Sequence, residues 1–190
     1  MPGAIFLEGD RVELRTIESE DTEFLHETIN DRRVRQGLAA VDPVTRSNER
    51  DWVESRGEGD DINFLICDGG EPVGTIGLKP PNVINGATEV GYMVAPDHWG
   101  NDYATDALRA LCGYAFEERR LNKVYANAYE TNPASSRVLE KVGFQREGVH
   151  REQGFVDGEH VDVFRYGLLA HEWQHTADEP GRKAERDSWI

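Results

Sequence analysis

Cysteine, lysine and long apolar runs are all scarce in this chain of 190 residues. The only cysteines, Cys67 and Cys112, have no metal-like or redox-like spacing. Cys67 sits in an apolar run and Cys112 on an apolar helix face, so both read as buried free thiols rather than as a disulfide framework or a zinc site. No stretch approaches the ~20 apolar residues that span a bilayer. The first ten residues lack the basic and apolar regions of a signal peptide. These absences point to a cytoplasmic protein with no membrane partner. Lysine occurs only at Lys79, Lys123, Lys141 and Lys183. Acidic residues outnumber basic ones 36 to 21, for a net charge of −15. Binding to a phosphate backbone needs clustered Lys and Arg, so nucleic acid is excluded as a partner. The acidic, lysine-poor balance reads as a solvated surface suited to a salt-rich, halophilic cytoplasm. The other reading is an acidic face that steers basic partners.

The length suits one domain with a substantial core. Residues 11–16 alternate apolar and charged and predict a strand. Residues 19–30 carry capping groups and an apolar stripe, and predict a helix. Residues 31–43 read as a loop or broken helix, and residues 47–56 as a second helix. Two strands, 62–67 and 72–78, flank Asp68-Gly69-Gly70, a hairpin signal. Residues 79–87 form a loop and 88–94 the next strand. Alternation puts Glu89, Gly91 and Met93 on one face and Val90, Tyr92 and Val94 on the other. A long helix follows over about residues 100–119, then a strand (123–129), a helix (133–142) and two strands (145–151 and 160–169). The order is β-α-α-β-β-β-α-β-α-β-β. It predicts an α+β fold with a mixed sheet and helices on both faces. One domain over residues 1–175 is expected, followed by a charged, mobile tail over 176–190.

Two segments carry the chemistry. The first runs Gly91-Tyr92-Met93-Val94-Ala95-Pro96, then Trp99-Gly100-Asn101-Asp102-Tyr103-Ala104-Thr105. It reads as a strand, a tight turn and a helix start, which offers bare N–H groups and a positive dipole end to a phosphate. The second, Asn132-Pro133-Ala134-Ser135, reads as a capped helix start, with Pro133 at the first helical position.

These segments, with Arg11-Val12-Glu13-Leu14-Arg15 before them and Lys141-Val142-Gly143-Phe144 after, resemble the GNAT superfamily of acyl-CoA-dependent N-acetyltransferases. The nearest branch is the RimJ/RimL type, which acetylates protein N-terminal amines, notably of ribosomal proteins. The resemblance covers roughly residues 9–173. It implies a mostly antiparallel sheet with a splayed central strand pair, and acetyl-CoA as acyl donor. The main chain of Met93 and Val94 is implied to meet the pantetheine arm, with the Val94 N–H polarising the thioester carbonyl. The family's phosphate loop, Gln/Arg-x-x-Gly-x-Gly/Ala, falls on Trp99, Gly100, Asn101, Asp102, Tyr103 and Ala104, with Thr105 next. Asn132 is implied to contact the pantetheine.

Asp102 departs from the motif glycine. A carboxylate ~4 Å from a phosphate charge costs about 4 kcal/mol at an effective dielectric of 20. Asp102 is therefore expected to turn to solvent and to cap the helix. Glu89 is the candidate base for the attacking amine, and Ser135 matches the position that protonates the departing thiolate. Tyr103 and Tyr129 are the less favoured proton donors. The expected acceptor is a protein or peptide N-terminal amine, attacking directly in a ternary complex. A small-molecule amine, or a non-catalytic acyl-CoA-sensing or protein-interaction domain, remains the alternative. The sequence leaves the oligomeric state open, a homodimer included. His171-Glu172-Trp173-Gln174-His175 fits the zinc-peptidase pattern H-E-x-x-H. It follows the last strand with no third ligand in evident position, so no metal is expected.

Overall fold

The computed structural model describes residues 3–38, 40–55 and 59–177. Most of the expected C-terminal tail, from residue 178 on, lies outside the described residues.

Eight strands make one sheet: β1 (Ile5–Glu8), β2 (Glu13–Arg15), β3 (Ile62–Asp68), β4 (Glu71–Leu78), β5 (Ala87–Val94), β6 (Lys123–Tyr129), β7 (Gln145–Val156) and β8 (Glu159–Leu169). Their order is β1-β2-β3-β4-β5-β6-β8-β7. Every neighbouring pair is antiparallel except β5 and β6. The helices are α1 (Thr22–Asn30), α2 (Arg32–Leu38), α3 (Arg46–Glu54), α4 (Tyr103–Gly113), α5 (Pro133–Val142) and α6 (Ala170–Ala177).

Strand alternation divides the core between two faces. Ile66 of β3, Ile76 of β4, Val90 of β5, Val124 of β6 and Leu168 of β8 pack on Leu108 and Leu111 of α4 and Leu139 of α5. Leu65 and Cys67 point the other way and meet Leu25 of α1 and Val53 of α3. Leu108, Leu111 and Leu139 are fully enclosed, so each contributes about 1.5–3 kcal/mol through burial. Burial also pushes both thiols up, Cys67 to about 12, which denies either a role as a thiolate nucleophile.

Four features depart from the sequence reading. β1 precedes the first expected strand. The Asp106 carboxylate secures its turn into β2, accepting from the N–H groups of Asp10 (3.1 Å), Arg11 (2.8 Å) and Val12 (3.0 Å). Residues 32–38 of the expected loop form α2. The long helix ends as α4 at Gly113 and continues as a π turn over Tyr114–Glu118. The H-E-x-x-H segment lies in α6, where Glu172 caps the helix start, accepting from Leu169 N (2.8 Å) and from Gln145 Nε2 (2.8 Å). Ordinary capping thus accounts for that glutamate.

Candidate active site

β5 and β6 pair only from Ala87–Glu89 against Lys123–Tyr125. Beyond Glu89 the two strands part, although β5 runs on to Val94 and β6 to Tyr129. On its other edge β5 stays in register with β4 as far as Gly74 opposite Val94. Lys79 N donates to Glu89 O and Ala95 N to Val73 O. The odd-numbered residues of β5 therefore turn their main chain to β4. The alternation of an antiparallel ladder then turns Val90, Tyr92 and Val94 toward the split. Met93, expected beside Val94 as a main-chain contact for the pantetheine arm, is instead committed to β4 opposite Thr75.

The turn after β5 is shaped for an anion. Gly100 (φ 84°) and Asp102 (φ 61°) both adopt the left-handed conformation. Asp is among the few non-glycine residues that tolerate it, which explains how a carboxylate occupies the motif's glycine position. Among the described residues, no protein acceptor takes the N–H groups of Gly100, Asn101, Asp102, Tyr103, Ala104 or Thr105. The buried Thr105 hydroxyl also has no partner there. A helix start with free donors and an orphaned hydroxyl fits a pyrophosphate. Trp99 Nε1 closes the turn by donating to Val94 O at 2.7 Å, and Asn101 Nδ2 donates to His98 O at 3.1 Å. The Tyr103 hydroxyl is bound to Asp68 at the end of β3.

Asp102 turns outward, half exposed, and its Oδ1 lies 2.6 Å from Lys141 Nζ on α5. The Lys141 hydrogen bond and charge hold its carboxyl below the usual range, with help from Arg11 and Arg109. The Lys141 ammonium thus opposes the repulsion expected of Asp102. Asp102 makes no helix-capping hydrogen bond; its left-handed backbone and the pull of Lys141 direct the carboxylate elsewhere. A cavity of 280 Å³ beside the turn is lined by Arg11, Thr105, Arg109 and Lys141 with Asp10, Asp102 and Asp106.

Across the split, Asn132 caps α5 by accepting from Ser135 N at 3.2 Å. Its amide nitrogen lies 2.9 Å from where a Cβ on Gly37 of α2 would stand. Ser135 Oγ is 2.9 Å from the Tyr92 hydroxyl. Burial pushes the Tyr92 phenol up to about 12, so it stays protonated. Sequence alternation places Tyr92 on the core face but gives no sign of this partner on α5.

Glu89 sits where the strands part. Its Oε1 is 3.0 Å from Lys79 Nζ and accepts from Asn127 Nδ2 at 3.4 Å. Glu89 and Ser135 flank the split from different elements, and the 99–105 turn lies at the end of β5. Lys79, Asn127, Lys141 and the cations Arg11 and Arg109 were missed in the sequence reading. Only the pairing of distant strands and helices brings them here.

A split sheet beside a bare helix start is the arrangement expected of an acyl-CoA-dependent acetyltransferase. The chain matches the acetyltransferase (GNAT) domain family over residues 11–145, and it belongs to that family. It is accordingly an acetyl-CoA-dependent N-acetyltransferase. YdaF from Bacillus subtilis, provisionally named as a ribosomal N-acetyltransferase, is 32% identical over 87% of this chain and 95% of its own. The spermidine N-acetyltransferase from Vibrio cholerae, solved with CoA and spermine, superposes with a TM-score of 0.80 at 24% identity. That match covers 86% of this chain and 98% of that one. RimL, a ribosomal L7/L12 α-N-protein acetyltransferase, gives 0.74 at 21% identity over 89% and 98%. The last two likenesses bear on the fold alone.

Proposed function

We propose that this chain is a RimJ/RimL-like enzyme that acetylates the N-terminal amine of a protein or peptide, by direct attack in a ternary complex. The parting of β5 from β6 beyond Glu89 carries the reading, because it leaves a slot between the phosphate-binding turn and an open stretch of sheet. The name of YdaF supports a protein acceptor, and a small-molecule amine is the alternative.

In this reading the N–H groups of residues 100–105 and the Thr105 hydroxyl hold the pyrophosphate of acetyl-CoA. Lys141, Arg11 and Arg109 supply positive charge around it. The Val94 N–H, free of β4, polarises the thioester carbonyl as charge develops on its oxygen. An α-amine titrates near ~7.7–8.0, so a useful fraction is already neutral. The Lys79 ammonium beside Glu89 disfavours a second cation and enlarges that fraction. Glu89 takes the amine proton through a water. Ser135, hydrogen-bonded to Tyr92, protonates the departing thiolate. Asn132 holds the start of α5, and so Ser135, in place.

Mass spectrometry of peptide acetylation tests the reading. Wild type is expected to acetylate peptide N-termini in preference to spermidine. Ser135→Ala is expected to lower kcat by about 100-fold, the lower end of what a general acid contributes, with the KM for acetyl-CoA little changed. A preference for spermidine, or an unchanged kcat in Ser135→Ala, contradicts it.

A further inference from the structure

The stretch of sheet beside Glu89 carries Lys79, Lys123 and Arg165 in a chain that is acidic as a whole. Asn127 Oδ1 accepts from Arg165 Nη1 at 3.4 Å, and the Arg165 guanidinium stacks 3.5 Å above the Tyr125 ring. Lys79, just after β4, and Glu89, Asn127 and Arg165 of β5, β6 and β8 thus form one row. Among the described residues Arg165 has no carboxylate partner. A chain with 36 acidic residues leaves this half-buried guanidinium uncompensated. Glu147, the carboxylate that lies against Gly167 on β8, is occupied by Lys123 at 2.5 Å.

The sheet is open beside two members of the row. Gly91 follows Glu89 on the same face, and Gly148 is the register partner of Arg165 on β7. A Cβ on either glycine would meet no atom within 4 Å. Space above the sheet is therefore open beside Glu89, at the strand split where the acceptor amine must arrive, and beside Arg165. Two hydrogen bonds and one amide separate Glu89 from Arg165, about 9 Å at most. An extended chain rises ~3.3–3.6 Å per residue, so two residues bridge that gap. A polyamine requires several unpaired carboxylates, and Glu89, the carboxylate at the split among the described residues, is already paired with Lys79.

We infer that Arg165 is the anion-binding end of the acceptor site, and that the acceptor is a primary amine with a carboxylate within two residues of it. An N-terminus with Asp or Glu at the first or second position has this chemistry; a free acidic amino acid shares it. Arg165 is a specificity-determining residue here. The inference rests on the acetyl-transfer reading above.

The test uses the full chain, acetyl-CoA and paired peptides with free N-termini, Ala-Asp-Ala-Ala and Ala-Asn-Ala-Ala amides, at low salt. Free glutamate and spermidine are further arms. The acidic peptide is expected to exceed its neutral partner at least tenfold in kcat/KM, mainly through KM. Glutamate turnover near that of the acidic peptide would assign the small-molecule source; much lower turnover assigns the peptide. In Arg165→Gln the acidic-to-neutral ratio falls to about one, and Arg165→Lys restores part of it. An equal ratio in wild type, the same ratio in Arg165→Gln, or preference for spermidine overturns the inference. Calorimetry of both peptides on the CoA-loaded protein separates the two proposals. If no amine is acetylated, the function reading fails. Selective binding of the acidic peptide that is lost in Arg165→Gln still supports the anion site, and equal binding refutes it.

Discussion

Asp102 shows how one residue can depart from a motif while keeping its geometry. Its left-handed backbone is what the motif's glycine provides, and its charge is matched by Lys141. Asp102→Gly keeps the backbone and releases Lys141 for the phosphates. Acetyl-CoA is predicted to bind Asp102→Gly about three- to tenfold more tightly than wild type at low salt. Molar salt, with a Debye length of ~3 Å, should erase most of that gain. A gain that persists in molar salt, measured by calorimetry, would contradict the electrostatic account. The pair also has a defined pH window. Because Lys141 depresses the folded pKa of Asp102, its contribution is fully present above the unfolded value near ~3.9. It is lost as pH falls through the lower folded value. The stability difference between wild type and Lys141→Met should fade over that acid range.

At the scale of elements, β4 decides where β5 stands, and so where the slot opens. Gly74 is the close approach: a Cβ there would stand 2.3 Å from the Met93 carbonyl oxygen and 3.0 Å from Val94 Cα. Both obstacles are backbone, so Gly74→Ala must move the strands. Thermal or denaturant unfolding is predicted to show a loss of about 1–3 kcal/mol, the usual cost of overpacking, with acetyl-CoA affinity reduced at least tenfold. Native-like stability and affinity together would show that β5 is positioned by something else. Most of these elements were legible in the sequence. The alternation in β3 to β6, the Asp68-Gly69-Gly70 hairpin and the Asn132-Pro133 start of α5 are local patterns, and local patterns survive folding. β1 and α2 were not legible. The turn after β1 is held by Asp106 from 94 to 96 residues away. α2 is short, and Asp157 at the far turn bonds Gln36 at 2.5 Å. The same limit applies to the site. The turn at residues 99–105 reads directly from sequence, whereas Lys79 beside Glu89, Tyr92 beside Ser135 and Lys141 beside Asp102 are long-range pairs without a local signal.

For the whole molecule, a net charge of −15 on 190 residues sets up self-repulsion that the compact state must bear. Salt screens it. The unfolding temperature should therefore rise with potassium chloride from low to molar concentration, and a fall over that range would show that attractive surface pairs dominate. Against this acidic field the cavity beside the 99–105 turn sets Arg11, Arg109 and Lys141 against Asp10, Asp102 and Asp106, a local balance of charge that the chain as a whole lacks.

The central claim is that the helix start at residues 100–105 holds the phosphates of acetyl-CoA. It is tested most directly by comparing wild type with Thr105→Val, a near-isosteric change at a buried hydroxyl that has no protein partner. Without ligand, the variant should be as stable as wild type or more so, because an unsatisfied buried hydroxyl is costly. With acetyl-CoA, its calorimetric Kd should rise about tenfold, the equivalent of ~1.4 kcal/mol. An unchanged Kd alongside that unchanged or raised stability would contradict the claim and move the phosphates away from this turn.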